Sequence, residues 1–298
     1  MRIGIDIGGT KTDAVAVDDR GQTVHQFRLT TGYGGPAVLD TAAAAISRMC
    51  SLTGLQPATL ESIGLGVPGM VDASSGEVRH AANLGFSWLD LGSELHERFG
   101  VQVRVENDVN AAALGAYRFL DLNGTMAYLN LGTGMAAGIV SGGRLMRGST
   151  GNAGEIGHIP LFPDGASCPC GQRGCLETVA SGSAISRQWI TDDPLPARSL
   201  FTAATHGETA AIAIARRVAE AVAATVRLLV LTVDVEHIVI GGGVSRVGEP
   251  LLEGIRHVLD EWAAGSPFID SLALPRRVRL VPADSSIAAL GAALIGGH

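Results

Sequence analysis

Three of the four cysteines in this 298-residue chain fall within eight positions, in the stretch HIPLFPDGASCPCGQRGCLE, residues 158 to 177. Cys168, Cys170 and Cys175 have the spacing C-x-C-x4-C, and His158 stands ten residues ahead of the first. Three thiolates and one imidazole make a complete tetrahedral set for Zn²⁺. Four protein ligands leave no position for water, so the metal expected here is structural. Gly171 and Gly174 permit the tight wrapping. The alternative is three unrelated buried or reactive thiols, and the density of the cluster argues against it. Cys50, alone in a helical stretch, is expected to pack.

Glycine-threonine turns point to a second chemistry. Gly8-Gly9-Thr10-Lys11 and Gly132-Thr133-Gly134 let backbone N–H groups approach oxyanions where no Cβ intervenes, and threonine adds a hydroxyl donor. Neither is a Walker A loop or a dinucleotide fingerprint, and either alone reads equally well as a plain hairpin tip. Together with Gly241-Gly242-Gly243 they favour a nucleotide. Asp6 lies in the apolar strand before the first turn, where a carboxylate is costly to bury unless paired or near a metal. Mg²⁺ bridging phosphates, usually through water, is the partner that fits; the bland alternative is an edge-strand aspartate facing solvent. In VENDVNAAALG, Asn107 and Asp108 fall where a strand meets a helix, the place where open α/β sheets set ligand-binding groups. Asp108 is there either as helix N-cap or, if Asn110 caps instead, as a base acting on a hydroxyl.

The elements that would position these groups alternate between strand and helix, which defines an α/β chain. RIGIDIGG and KTDAVAVDD form a hairpin across the first glycine turn. DTAAAAISRMCSL, LGSELHERFG (ended by Gly100), VNAAALGAYRFL, the long run ETAAIAIARRVAEAVAATVRLLVLT, PLLEGIRHVLDEW and SIAALGAALIG read as helices. SIGLGVPGMVD, VQVRVEND, HIVIGGGV and RRVRLVP read as strands. GIDIGGTKTDAVAV and YLNLGTGMAAGIV share a strand, glycine turn, strand pattern some 120 residues apart, which suggests two similar lobes. Residues 148 to 177 are loop-rich.

Composition sets the bounds. The length suits about two domains, and 40 glycines imply many turns or close backbone approaches. A net charge of −7 gives no general attraction to nucleic acid or anionic membrane. The most apolar helical stretch is interrupted by Arg216, Arg217, Glu220 and Arg227, so no membrane span is expected. No signal peptide is visible, and so few cysteines suit a reducing compartment; the expected location is the cytoplasm.

DIGGTK, GVPGMVD, ENDVNAAALG, LGTGMAAGI, GNAGEIGH and CPCGQRGCLE occur in the order seen in the ROK family of sugar kinases, repressors and open reading frames, and the sequence resembles that family over nearly its whole length. The resemblance implies the two-lobed, actin-like ATPase (ribonuclease H-like) α/β fold with a zinc-binding loop. The smaller lobe would span residues 1–116, completed by a C-terminal helix at 285–298; the larger would span 117–284 and carry the zinc motif at 158–177. It further implies a cofactor site for ATP and Mg²⁺ at Asp6, Gly8, Gly9, Thr10 and Lys11, at Gly132, Thr133 and Gly134, and at Gly241, Gly242 and Gly243. Asp108 would be the catalytic base toward a sugar 6-hydroxyl. Gly69, Asn83, Asn107, Asp108, Glu155, His158 and Glu177 would bind the sugar, and His158, Cys168, Cys170 and Cys175 the zinc.

The activity implied is ATP-dependent phosphorylation of a hexose, with glucose the first choice. N-acetylglucosamine, N-acetylmannosamine, mannose and fructose are alternatives, as is polyphosphate in place of ATP. A homodimer is expected. Repressors of the family carry a helix-turn-helix ahead of the first phosphate motif, which here begins at residue 3, so a kinase is expected rather than a nucleic-acid-binding protein. A silent sugar-binding regulator without a DNA-binding domain is the other alternative.

Overall fold

The alternating residues of RIGIDI form β1 (Arg2–Ile7), and the chain reverses into β2 (Lys11–Val17). The two pair antiparallel as far as Ile7 opposite Thr12, and the Gly8 N–H donates to the Lys11 carbonyl at 2.9 Å. β3 (Thr23–Thr30) pairs with β2. α1 (Gly35–Thr53) starts at a proline and stops at Gly54, whose φ of 70° is the left-handed conformation glycine adopts cheaply. β4 (Ser62–Val67), buried along its whole length, lies parallel to β1. The short β5 (Met70–Asp72), β6 (Glu77–Ala81) and β7 (Phe86–Asp90) make a separate antiparallel sheet. α2 (Leu91–Phe99) ends at Gly100, as the sequence indicates. β8 (Val103–Asn107) lies parallel to β4 and runs directly into α3 (Asp108–Phe119). The main sheet has the order β3-β2-β1-β4-β8. Ile3, Ile5, Ile7, Ile46, Met49, Ile63 and Leu65 form its water-free core.

The second glycine-turn unit comprises β9 (Thr125–Leu131) and β10 (Met135–Ser141), followed by β11 (Arg144–Leu145). After the loop-rich segment come α4 (Glu177–Ala180), α5 (Gly182–Gln188), α6 (Pro196–Thr205), α7 (Thr209–Val233) and β12 (His237–Gly241). α8 (Glu249–Ala264), α9 (Pro267–Ser271), α10 (Leu274–Arg277) and β13 (Val278–Leu280) follow. This sheet has the order β11-β10-β9-β12-β13, with β12 parallel to both β9 and β13. It repeats the strand order of the first sheet, and so gives the internal echo of the sequence its structural form.

The last helix, α11 (Ile287–Gly296), packs on β1, β4 and α3. Glycine makes that approach possible. A Cβ on Gly115 of α3 would land on the Ile287 carbonyl oxygen, and one on Gly291 of α11 would land on that of Ala111. Gly4 and Gly64 open the sheet to the same helix.

The computed structural model describes residues 1–282 and 285–296. It divides into two units: Met1–Asn123, Val140–Ala153 and α11 form one; Gly124–Ile139 and 154–282 form the other. The boundary expected after residue 116 would have cut α3, whose hydrogen-bonded turns run to Phe119. Residues 283, 284, 297 and 298, assigned to one lobe or the other from sequence, lie outside the described residues. Among the described residues no helix is long and apolar enough to cross a membrane.

Candidate active site and zinc centre

In the first unit the candidate groups gather at the ends of β1, β4 and β8. β1 is the central strand of its sheet, so Asp6 does not lie on an edge strand; it is half-buried. Asp6 lies opposite Asp13 on β2, and Asp13 is gripped through both oxygens by Arg28, at 2.7 and 2.9 Å. Burial pushes the Asp6 carboxyl up to about 8; Asp108 and Asp13 add repulsion and Arg28 opposes it. Gly66 separates Asp6 from Asp108: a Cβ there would lie 3.6 Å from an Asp6 carboxylate oxygen and 3.5 Å from the Asp108 Cα. Gly9, Thr10 and Lys11 are exposed at the hairpin tip. Asn83 is exposed in a short turn whose carbonyl would be 3.1 Å from a Cβ on Gly9.

The N-cap of α3 is neither Asp108 nor Asn110. It is Asn107, whose Oδ1 accepts from the N–H groups of Val109 at 2.9 Å and Asn110 at 3.3 Å. Asn107 has the extended backbone a cap needs, because β8 ends on it. Its Nδ2 donates to the Gly69 carbonyl at 3.2 Å, which holds the Val-Pro-Gly turn against the helix start. Gly69 has φ 118°, a conformation suited to glycine. Asp108 is therefore the first helical residue, half-buried, with Oδ1 accepting from Val109 N–H at 3.0 Å.

Sequence reasoning passed over Glu106. Its side chain is 4 % exposed and meets the Arg147 Nε at 2.6 Å. Its other oxygen accepts from the Asn107 N–H at 3.0 Å and the Asn110 Nδ2 at 2.9 Å. A glutamate beside an Asn-Asp pair is visible in sequence, but its distant partner is not.

In the second unit, two glycine loops meet at the end of β9. The Gly132 N–H donates to the Gly134 carbonyl, and the Gly132 and Thr133 carbonyls accept from the first N–H groups of α5, Gly182 and Ser183, at 2.7 and 3.3 Å. Gly242, with φ 84°, sits where any Cβ would strike the backbone of Leu131. Gly243 is exposed beside it.

The cysteine loop brings its four expected ligands together: one donor atom each from His158, Cys168, Cys170 and Cys175 lies within 4.8 Å of every other. Gly171 and Gly174 carry the positive φ that the wrapping needs, 92° and 74°. Cys168 Sγ is 3.6 Å from His158 Nδ1, and Cys170 Sγ is 3.7 Å from Cys175 Sγ. Tetrahedral zinc with ordinary bond lengths requires about 3.6 Å between sulfur and nitrogen and about 3.8 Å between sulfurs. The donor set and its spacing thus fit Zn²⁺, and the ion would supply a cross-link within the loop. Burial pushes the Cys168 thiol up to about 12, whereas hydrogen bonds from the Gln172 backbone and side chain hold Cys170 down at about 6; a zinc ion deprotonates ligating thiols outright.

The carboxylates expected to bind sugar flank this centre. Glu177 Oε1 lies 3.1 Å from Cys168 Sγ and 3.6 Å from His158 Nδ1. Glu155 Oε2 lies 3.9 Å from His158 Nε2, the nitrogen turned away from the thiols. Glu177 also borders the second glycine turn, with Oε2 3.1 Å from a Cβ built on Gly134.

Known proteins place this chain clearly. The sequence profile of the ROK family matches residues 2–296. A glucokinase from Halalkalibacterium halodurans is 34% identical over 282 residues, covering 88% of this chain and 86% of the relative. An N-acetylmannosamine kinase from Vibrio vulnificus is 34% identical over 303 residues, covering 98% and 96%. A crystal structure of a ROK family glucokinase from Streptomyces griseus, in complex with glucose and AMPPNP, superposes with a TM-score of 0.80 at 31% identity, covering 99% of this chain and 98% of that one. The chain belongs to the ROK family, and its mixed α/β fold is that of the family's sugar kinases.

Proposed function

We propose that this ROK-family sugar kinase transfers the terminal phosphoryl group of ATP to the 6-hydroxyl of a hexose, with glucose as its substrate and Asp108 as general base. The observation that carries this is the release of Asp108 from capping duty: Asn107 caps α3, which leaves a half-buried carboxylate at a helix N-terminus beside the Gly69 turn. Phosphoryl transfer needs positioning and charge neutralisation more than covalent work. In this assignment Asp108 takes the proton of the attacking hydroxyl. Asn83, Asn107, Glu155, His158, Glu177 and the Gly69 turn read the sugar hydroxyls, and the three glycine loops take the nucleotide. Asp6 would hold Mg²⁺ through water, and that ion would neutralise phosphate charge. His158, Cys168, Cys170 and Cys175 would hold zinc, which braces the segment between Glu155 and Glu177.

The similarity to glucokinases supports glucose; the Vibrio vulnificus relative makes N-acetylmannosamine the second substrate to test. The test measures ADP release from ATP and Mg²⁺ over glucose, mannose, fructose, N-acetylglucosamine and N-acetylmannosamine, for the wild type and Asp108→Asn. Glucose should give the highest kcat/KM, and the variant should lose about 10²–10⁴-fold in kcat while still binding sugar. A preference for an N-acetylhexosamine would refute glucose, and near-normal turnover by the variant would refute the base. Light scattering on the purified protein tests the expected homodimer.

A further inference from the structure

We propose that Glu106 and Arg147 are positioning residues for Asp108, an assignment that rests on Asp108 being the base proposed above. A carboxylate this deeply buried is costly unless its charge and lone pairs are met. Glu106, 4 % exposed at its side chain, has both oxygens engaged, and the division of labour is specific. Oε1 accepts from the Asn107 backbone N–H and from the Asn110 side chain, one residue before Asp108 and two after it. Oε2 receives the Arg147 Nε. One carboxylate oxygen therefore clamps the turn that carries Asp108, and the other is tied to a cation 41 residues away.

Arg147 is itself supported. Its carbonyl accepts from the Ala153 N–H at 3.2 Å, closing the loop behind it, and Gly148 takes φ 73° to allow the turn. The Asn107 that Glu106 holds also caps α3 and grips the Gly69 carbonyl. The hydrogen bonds thus run from Arg147 through Glu106 to the first turn of α3. The donors that meet the buried carboxylate on this side belong to Asn107 and Asn110, the two asparagines that flank Asp108.

Steady-state kinetics and thermal midpoints of four variants test this: Arg147→Met, Arg147→Lys, Glu106→Gln, and Arg147→Met combined with Asp108→Asn. Misplacing a reacting group by an ångström costs up to about 10²-fold. Arg147→Met should therefore lose about 10–100-fold in kcat, with KM for sugar and ATP within about threefold. Arg147→Lys, which restores a cation to Oε2, should recover most of that loss. Glu106→Gln keeps the acceptor for Asn107 and Asn110 but sets an amide N–H against Arg147. It should reproduce the Arg147→Met kinetics, and it covers the case in which Arg147→Met does not fold. In the Asp108→Asn background, Arg147→Met should cost nothing more, because the group it positions is gone.

Wild-type kcat in both Arg147→Met and Glu106→Gln would overturn the proposal. So would a full additional loss in the Asp108→Asn background, or a parallel collapse of kcat, both KM values and thermal midpoint. Wild-type turnover by Asp108→Asn itself would instead show that the base assignment has failed, and the positioning role with it.

Discussion

Asp6 offers a quantitative test of the nucleotide site. Burial, together with Asp108 and Asp13, raises its carboxyl from the ordinary 3.8 to about 8. At pH 7 such a group is about 90% protonated. A magnesium–nucleotide complex seated beside it favours the ionised form, so binding should expel about 0.9 proton at pH 7 and only about 0.1 at pH 9. The same linkage makes the apparent affinity about tenfold tighter at pH 9 than at pH 7. The assay is isothermal titration of a non-hydrolysable ATP analogue with excess Mg²⁺, in two buffers of different ionisation enthalpy, for the wild type and Asp6→Asn. The wild-type heat should depend on the buffer at pH 7 beyond that of Asp6→Asn, and the excess should vanish by pH 9. Stability follows the same sign. Between pH 3.8 and about 8 the folded protein keeps a proton that the unfolded chain has lost, so this group's contribution is present at low pH and is lost as pH rises through that window. Asp6→Asn should remove a slope of up to ~1.4 kcal/mol per pH unit. Equal proton release by wild type and variant at pH 7 would refute the assignment of the proton to Asp6.

Two further outcomes follow from the zinc loop and from the α3–α11 contact. The purified protein should carry one zinc per chain by elemental analysis; Cys170→Ser should lower that content and weaken sugar binding more than ATP binding, because Glu155 and Glu177, both expected to bind sugar, lie against His158. A fully active wild type without zinc would contradict this. Gly115→Val forces a side chain onto the Ile287 carbonyl and should destabilise the protein by about 1–3 kcal/mol or more in denaturant titration; an unchanged midpoint would show that α11 does not pack there.

The zinc set was legible because all its ligands lie within eighteen residues and need only a local wrap, which Gly171 and Gly174 announce. The hairpin at Gly8–Lys11 and the helix stop at Gly100 were legible for the same reason: backbone conformations that few residues tolerate leave a mark in the sequence. The strands β5, β6 and β7 left no such mark, since three to five residues are too few to establish a period. The cap of α3 was not legible because three polar residues within four positions, Asn107, Asp108 and Asn110, are chemically able to cap, and the choice depends on where β8 stops pairing with β4. The Asp6 shift depends first on burial and then on Asp108, more than a hundred residues away, and the Glu106 clamp depends on Arg147. The amino-acid sequence by itself determined the family, the clustering of His158 with the three cysteines and the glycine turns, all of which rest on short-range chemistry. Only the tertiary structure decided which carboxylate is buried, which is paired with a distant cation and which residue caps α3, because burial and pairing are properties of chain segments brought together by folding.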